Sequence, residues 1–493
     1  MTDTELKTIV FKPGIDKDTT KYGAEGGWID CDKVRFREDR AEKIGGWSPA
    51  VVQQNNDSNV TSFTGAPRDM LSWNDLQFNK YIAAATNEKI ELVFGNIIFD
   101  ITPVREQNSI ENAISTTNGS STVKITDNEA HSLVVDDYVF VNDQETAVDG
   151  ITLSGEYQVT NVISPTEFEI DAGTNATGTT NGGGDTLDID YLLPAGPVSN
   201  GALTGWSGGT WNTPGASGQG WNRPRDSVGG LSLRQWSLDT WGEDLLACQR
   251  EGKIYVWDAT NGVGSRLQEL SNAPDQNLFM LVAQPSRQVV AFGSEVEATG
   301  TFDPLIVRWS DIEDRNTWTT SDTNSAGEFR LSGGNTIRGA VRTRSEIIIF
   351  TDTDVYAMRF VGGNQVFEFE PLGTNVSAAS QHSSVDVNGT VFWMGTEDFY
   401  MYDGVVKTLP SRINKFIFDQ DGEGKVNPRQ KEKIYAGVNK EFHEIWWFYP
   451  SFNSEEIDRY VVYNYEIGVW TIGTLNRTTW IDRGIFDRPF ATD

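Results

Sequence analysis

The feature that most constrains the fold of this chain is a repeated pair of short strands. Each unit reads as an apolar strand, a polar turn and an aromatic strand. The units are YIAAATNEKIELVF from Tyr81, DLLACQREGKIYVW from Asp244 to Trp257, QVVAFGS from Gln288 continuing through PLIVRW to Trp309, EIIIFTDTDVYAMRF from Glu346 to Phe360, GTVFWMGTEDFYMYDGVV from Gly389 to Val406, and KIYAGVNKEFHEIWWFYP from Lys433 to Pro450 followed by YVVYNYEIGVWTIG from Tyr460 to Gly473. Equivalent positions are 44 residues apart from Ile347 to Val391 and 43 apart from Val391 to Ile434. Since four-stranded blades repeat every ~40–50 residues, the spacing predicts an all-β propeller of roughly six blades.

The turns inside these units support hairpins. Glu251-Gly252, Asn388-Gly389 and Asp403-Gly404 join paired strands, and tight hairpins need residues that accept a positive φ. Almost no window has an apolar helix period. The best place for a short helix is 411–434, although Gly and Pro interrupt it.

Residues 105–190 interrupt the repeat and are predicted to form a separate small β-domain. Its strands are STVKIT, DDYVFVN, GEYQVTNVIS and TEFEID, whose alternation predicts one buried and one polar face. Residues 106–190 hold 16 acidic residues and one basic residue, Lys124, which is half of the chain's net charge of −30. The predicted division is 1–104, an N-terminal segment with the first blade or blades; 105–190, the acidic insert; and 191–493, the remaining blades.

Three further segments are irregular. The low-complexity stretch Asp171–Asp185 is predicted to lead back toward the propeller. Gly201–Gly230 is rich in Gly and Trp, and is either a loop that contacts a neighbouring subunit or one whose tryptophans fold back on their own blade. The segment Trp28–Phe36 either closes a blade begun near the other end of the chain or pairs locally with KIGGW.

The charge restricts the possible partners. Seventy acidic residues against forty basic ones exclude a generic DNA-binding surface, because neutralising phosphates requires positive charge. An acidic wall could still act on DNA by repelling it in a channel. No run of 18 apolar residues is present and the first residues lack a cationic start with an apolar run, so neither a membrane span nor a secretory signal is expected.

Cysteine and histidine offer little for a metal or redox site. Cys31 and Cys248 allow one disulfide at most, and too few cysteines are present for a cysteine-based metal cluster. The histidines His131, His382 and His443 are far apart in sequence.

Three segments resemble propeller-type structural proteins of tailed phages, in particular the tail nozzle (tail tubular) proteins of short-tailed phages. They are FKPGI followed by Tyr22–Trp47 with its RF…KIGGW pattern, Ile306–Thr320 (IVRWSDIEDRNTWTT) with the strands after it, and VNGTVFWMGTEDFYMYDGVV. The insert is similar to a small β-module of phage structural proteins with the pattern H-x-L, G-D-x-V, G-x-Y-x-V, T-x-F. Asp136 stands where that pattern has Gly.

The resemblance implies a homohexameric ring near the end of a short tail, below an adaptor ring, with DNA passing along the sixfold axis. It also implies tail fibres or other tail proteins as partners. The expected function is therefore a structural, non-enzymatic virion protein with a negatively charged conduit, without sequence-specific DNA binding. The alternatives are a tail adhesin or fibre-docking platform formed by the insert and, third, a glycan-degrading tail enzyme.

Some segments also invite a catalytic interpretation. SDIEDRNTW (Ser310–Trp318) is comparable to the Asp-box turn of sialidase-type propellers, but Arg315 occupies the position where that turn needs Gly. The favoured interpretation is structural: Asp311 and Asp314 cap a blade turn, while Trp309 and Trp318 pack on the blade.

The acidic pair Glu397-Asp398 could serve glycoside hydrolysis, which needs two carboxylates ~5 Å or ~6.5–9.5 Å apart. The adjacent Phe399 and Tyr400 are expected in the blade core instead. Gly182–Gly184 precedes TLDIDYLL and does not open a helix, so it is interpreted as a linker and not a phosphate-binding loop. No spacing matches a calcium-binding loop. We therefore predict no catalytic, cofactor-binding or metal-binding residue and no cofactor.

Overall fold

Six antiparallel sheets follow one another along the chain and form a six-bladed β-propeller. The computed structural model describes residues 11–20, 22–50, 53–54, 62–142, 144–200, 232–363, 365–419 and 424–493. Before the first blade come β1 (Val34–Arg37), β2 (Arg40–Lys43) and β3 (Gln53–Gln54). Within each blade the four strands are neighbours in chain order. The first strands of successive blades contact each other, so the first strand of each blade is the inner one.

The six blades are made of the following strands. Blade 1 contains β4 (Pro67–Asn74), β5 (Lys80–Thr86), β6 (Ile90–Phe94) and β7 (Ile97–Asp100), with β3 parallel to β7. The insert strands are β8 (Val104–Glu111), β9 (Ile114–Ser115), β10 (Thr122–Thr126), β11 (Tyr138–Val141), β12 (Gly155–Ser164), β13 (Glu167–Asp171) and β14 (Thr186–Leu192). Blade 2 contains β15 (Trp236–Trp241), β16 (Asp244–Gln249), β17 (Ile254–Trp257) and β18 (Gln268–Glu269). Blade 3 contains β19 (Asn277–Ala283), β20 (Gln288–Glu295), β21 (Phe302–Trp309) and β22 (Gly327–Arg330).

The second half of the ring is built in the same way. Blade 4 contains β23 (Ile337–Arg342), β24 (Ile347–Thr351), β25 (Asp354–Phe360) and β26 (Phe367–Thr374). Blade 5 contains β27 (Ser384–Val387), β28 (Thr390–Met394), β29 (Phe399–Tyr402) and β30 (Val406–Thr408). Blade 6 contains β31 (Tyr435–Asn439), β32 (Glu444–Tyr449), β33 (Arg459–Asn464) and β34 (Val469–Thr474), and a two-stranded sheet, β35 (Thr479–Ile481) and β36 (Phe490–Thr492), follows it. The helical elements among the described residues are α1 (Asn414–Phe418) and the 3₁₀ turns Ala259–Asn261 and Lys431–Lys433.

The predicted units fall inside these blades one by one, so the repeat and the blade count are confirmed. Glu251 and Asn388 have φ values of 60° and 55°, and Gly404 has a φ of 101°, as hairpin turns require. The short helix predicted within 411–434 is α1.

The core consists of separate apolar clusters between adjacent blades. One joins blades 1 and 2, and others lie in turn between each later pair up to blades 5 and 6. Trp257 of blade 2, for example, packs edge-on against Trp73 of blade 1 at 6.2 Å between ring centroids. Because blade strands are covered on both faces, they read as nearly continuous apolar runs rather than alternating ones.

The ring closes through the C-terminal two-stranded sheet. Strand β35 contacts both β31 of blade 6 and β4 of blade 1, and so lies between the two. Trp480 packs nearly parallel to Trp446 at 5.7 Å, and its Nε1 donates to the Val438 carbonyl at 2.9 Å. The Tyr435 hydroxyl of blade 6 donates to Asp69 of blade 1 at 3.3 Å.

Ring closure by Trp28–Phe36 was the wrong one of the two alternatives. β1 pairs with β2 in a local hairpin that ends just before the KIGGW glycines, and no blade sheet contains it. This hairpin packs against β34, the outer strand of blade 6. The turn between β1 and β2 makes local pairing cheaper than a long-range one, since closing a short loop costs less entropy.

The insert is a seven-stranded sheet with its own apolar cluster. The four predicted strands correspond to β10, β11, β12 and β13, while β8, β9 and β14 were not predicted. Val104 pairs with Leu192, so the two ends of the insert are adjacent. The stretch Asp171–Asp185 does not lead away from the insert, because β14, which follows it, lies between β8 and β11.

Candidate functional site

The inner strands are joined to each other by polar side chains around the propeller axis. Asp69 of blade 1 accepts the Leu238 backbone N–H of blade 2 at 2.8 Å. Asp239 of blade 2 accepts the Val282 N–H of blade 3 at 2.8 Å. Burial raises the pKa of Asp69, although the Leu238, Met70 and Tyr435 donors and the nearby His382 act against it.

Side chains of nonadjacent blades meet across the axis. Arg342 of blade 4 donates to Asp239 of blade 2 at 2.7 Å. Gln381 and His382, which precede blade 5, both contact the Trp236 carbonyl of blade 2 at 3.0 Å. Since a carbonyl only accepts, His382 Nε2 carries the proton. Blades 2 and 5 are three positions apart in a ring of six, so these contacts span the axis.

A second layer of charge closes one end of the axis. Glu432, in the turn before blade 6, accepts Arg250 of blade 2 at 2.9 Å and contacts Arg338 of blade 4 at 3.3 Å. Burial raises the pKa of Glu432, but the two arginines outweigh burial and the net pKa lies below the usual value. We call Glu432, Arg250 and Arg338 the axial cap. The cap has no local sequence signal, because its members are up to 182 residues apart.

The insert presents carboxylates on one face of its sheet. On β13 and β14 the inward residues Phe168 and Leu187 are buried, while Glu169 and Asp188 alternate with them. Glu167 pairs with Lys124 at 2.7 Å, and Asp190 accepts Gln107 at 2.9 Å. The predicted alternation of a buried and a polar face is therefore present.

Asp136 shows how the insert tolerates a departure from the phage-module pattern. Its φ is 77°, in the left-handed region that glycine adopts most easily and that Asp tolerates. The turn therefore takes the conformation for which the pattern uses Gly. In the Gly182–Gly184 stretch, Gly183 exchanges backbone hydrogen bonds with Ile114, so these glycines belong to the insert sheet.

The Asp-box-like segment is a structural turn. Asp311 accepts the Ile312 and Ser325 N–H groups, each at 2.8 Å. Asp314 accepts the Asn316 N–H at 2.8 Å and the Thr317 hydroxyl at 2.7 Å. Both carboxylates are thus used within the turn, and the side chains of Trp309 and Trp318 lie in the clusters on either side of blade 3.

Glu397-Asp398 lies at the turn between β28 and β29. Burial raises the pKa of Asp398, which accepts the Phe399 N–H at 2.8 Å. Phe399 is fully buried between blades 5 and 6, and Tyr400 stacks on Trp393 at 5.5 Å. These two aromatic side chains contribute to the core, as expected from the sequence.

The cysteines and histidines are dispersed. Cys31 and Cys248 are both free thiols. His131 is buried in the insert, His382 lies at the axis, and His443 is exposed beside Glu466. Within the described ranges, no group of three His, Cys, Asp or Glu side chains is placed to hold a metal ion. Nor does any helix in those ranges have the length and apolarity to cross a membrane. The segment Gly201–Gly230, for which a loop was predicted, lies outside the described residues.

Comparison of the sequence with protein families and with curated proteins finds no match. Among solved structures, Hsv2 of Kluyveromyces lactis is similar at 10% identity and a TM-score of 0.28, over 48% of this chain and 60% of that one. The phage phi92 endosialidase is similar at 10% identity and a TM-score of 0.22, over 86% of this chain and 54% of that one. A mutant apocarotenoid oxygenase of Synechocystis is similar at 9% identity and a TM-score of 0.28, over 76% of this chain and 83% of that one. The first two alignments span less than two thirds of those chains, and TM-scores this low carry no functional argument.

Proposed function

We propose that this chain is a structural, non-enzymatic subunit of a bacteriophage tail nozzle, located in the virion tail. Copies of it form a ring, a homohexamer, around the path along which DNA leaves the particle. The proposal is supported by the RF…KIGGW segment, which contains the β1–β2 hairpin beside blade 6, by the RWSD…W segment of blade 3, and by the six-bladed fold. Its partners would be an adaptor ring, tail fibres or other tail proteins, and DNA that passes without sequence-specific binding.

The filled axis of the propeller supports the proposal that several copies form the conduit. Arg342–Asp239 and the contacts of Gln381 and His382 to the Trp236 carbonyl fill the propeller axis, and the axial cap lies at one end. A DNA duplex therefore has no path through a single propeller. A conduit requires several copies, with the DNA path between them.

The charge supports a conduit that does not retain DNA. The chain has a net charge of −30, and residues 106–190 contribute −15 of it. Negative walls repel phosphates, so the duplex would slide rather than adsorb.

Imaging of intact virions by cryo-electron microscopy tests this proposal. We expect a sixfold ring of this chain on the tail axis, with Asp and Glu outnumbering Lys and Arg on the wall facing the DNA. A ring wall lined by Lys and Arg would refute repulsion, and a peripheral location away from the DNA path would refute the nozzle.

A second candidate is a docking platform formed by the insert for fibres or a host receptor. The insert exposes three aliphatic side chains, Val134, Val135 and Ile163, at 58%, 49% and 47%. Val134 and Val135 are adjacent in the chain, and a contiguous exposed apolar patch is typical of a contact surface.

Deletion of the insert separates the two candidates. The Leu193 N–H donates to the Pro103 carbonyl at 2.9 Å, so Val104–Leu192 can be replaced by a two-residue Gly-Ser link. We expect the propeller to fold, because the insert has its own cluster. Under the docking candidate, virions assemble tails but lose fibres or adsorption. If the protein without the insert folds but tails fail to assemble, the insert is part of the ring.

A further inference from the structure

The insert meets the propeller at a cleft of about 740 Å³ lined by five charged residues, Asp190 and four others whose side chains form ion pairs with each other. Lys89 and Asp100 come from blade 1, Arg266 precedes β18 of blade 2, and Glu156 comes from β12 of the insert. We call these four residues the junction cluster. Their side chains are 11–24% exposed, so water screens them only in part.

The junction cluster links blade 1, blade 2 and the insert. Lys89 Nζ contacts Glu156 Oε1 and lies 3.5 Å from Asp100 Oδ2. Arg266 lies 3.2 Å from Asp100 and 3.5 Å from Glu156. Glu156 is the one member that the insert contributes, so insert docking determines its surroundings.

Two aromatic rings of the insert hold the cations in place. Lys89 Nζ lies 4.5 Å from the centroid of the Tyr138 ring, and the Arg266 guanidinium lies 5.2 Å from that of Phe140. Both rings are on β11, where Phe140 pairs with Glu156. The same insert face thus presents one carboxyl group and two cation-binding rings to the propeller.

The two carboxyl groups of the cluster differ in their protonation. Burial and hydrogen bonding to Asp100 raise the pKa of Glu156 to about 7, against the opposing effect of Lys89. Burial acts to raise the pKa of Asp100, but Arg266, Glu156 and Lys89 together hold it well below its usual range. The Asp100 Oδ2 atom is buried and accepts no hydrogen bond from the described residues, so a proton on Glu156 would supply the donor that this oxygen lacks.

Other groups at the cleft do not supply the same titration. Burial lowers the pKa of Lys89, but Asp100 and Glu156 outweigh burial and leave the pKa raised, so Lys89 stays charged. Burial, partly offset by Lys89, raises the pKa of Tyr138 above 10, and this phenol stays neutral. The remaining polar groups around Glu156 and Tyr138 are Asp190, Gln107, Gln268, Glu88 and Asp136.

We propose that docking of the insert on the propeller is linked to a proton on Glu156, which donates to the Asp100 carboxylate when present and is lost when the insert is released. In a released insert Glu156 is exposed and titrates near its ordinary value of 4.5. Because docking raises the pKa of Glu156, protonated Glu156 stabilises the docked insert. This stabilisation is complete below about pH 4.5 and is lost as the pH rises through about 7. The docking equilibrium then changes on the order of a hundredfold.

Hydrogen–deuterium exchange of the full chain between pH 5 and 8.5, corrected for intrinsic exchange rates, tests the linkage. We expect peptides covering 98–107 and 153–158 to lose protection as the pH passes 7. In Glu156→Gln, which keeps a donor toward Asp100 at every pH, this dependence should disappear. Peptides of blade 4 (337–374) report global unfolding and should not change.

Two further variants make the outcome decisive. Asp100→Asn removes the charge that raises the Glu156 pKa, so the transition should move to lower pH. Glu167→Gln, in the same sheet but paired with Lys124, should behave like the unmodified chain. Unchanged protection across the range, or a transition that persists in Glu156→Gln, would overturn the proposal.

Discussion

Replacement of Trp480 by alanine is expected to destabilise the protein by about 3–5 kcal/mol and to open the ring between blade 6 and blade 1. We call this junction the seam. Trp480 is 6% exposed and packs against Trp446, Phe448 and Trp47, at 5.7, 5.9 and 5.4 Å between ring centroids. Its strand is the element that contacts both blade 6 and blade 1. Urea denaturation followed by circular dichroism measures the loss, and hydrogen exchange of β4 and β31 locates it.

Trp47→Ala is the matched control for this seam. Trp47 packs on the same indole but is 37% exposed, so its loss should cost only about 1 kcal/mol. If both variants lose the same stability, or if β4 and β31 remain as protected as blade 4 in Trp480→Ala, the C-terminal strand does not close the ring.

Replacement of Arg35 by alanine should cost about 3–5 kcal/mol, because it leaves a buried carboxylate without its partner. Arg35 Nε and Nη2 donate to the two oxygens of Glu444 at 2.9 and 3.0 Å. The side chains are 7% and 3% exposed. The guanidinium also lies 3.4 Å from the centroid of the Phe442 ring. The variant should release the β1–β2 hairpin from blade 6.

The effect should depend on pH in a defined direction. Burial raises the pKa of Glu444 despite Arg35, which acts to lower it. Without Arg35 the pKa rises further, so the folded state favours protonated Glu444. The Arg35→Ala variant then keeps its stability below about pH 4.5 and loses stability as the pH rises and Glu444 ionises. Denaturation midpoints should therefore differ from the unmodified chain more at pH 8 than at pH 5.

Two variants complete this test. Arg37→Ala removes an exposed arginine at 5.8 Å from the same ring centroid, so it should cost about 1 kcal/mol or less. Arg35→Ala combined with Glu444→Gln removes the unpaired charge and should recover part of the loss at pH 8. Equal losses for both arginine variants, or a pH-independent loss, would show that the ion pair does not anchor the hairpin.

The sequence predicted the parts of the fold that depend on neighbouring residues. Blade strands follow from local apolar runs, and the turns at Asn388 and Gly404 follow from residues that accept a positive φ. The insert was predicted because its alternation and its charge differ from those of the blades. Its boundaries, Val104 and Leu192, are within two residues of those expected.

The parts that depend on distant residues were not predictable. Strand β14 was missed because TLDIDYLL follows a glycine-rich stretch that is typical of a linker. The axial cap and the junction cluster bring together charges from separate blades, and a chain with 70 acidic residues offers many such pairs. The identity of the closing strand depended on whether Trp480 or Phe36 fits the seam, which is a matter of packing rather than pattern.

The position of the C-terminal two-stranded sheet also determines when the propeller can be completed during synthesis. Blade 1 is translated first of the six, yet β4 receives its neighbour β35 only after about 400 more residues have been made. At roughly 5–20 residues per second, that delay is about 20–80 s. Until β35 has been made, the growing chain is an open arc of blades, and the blade at each end of the arc exposes one apolar face. A ribosome that stalls before Thr479 would leave that arc exposed, so unfinished chains should be recognisable by chaperones and proteases from this surface alone.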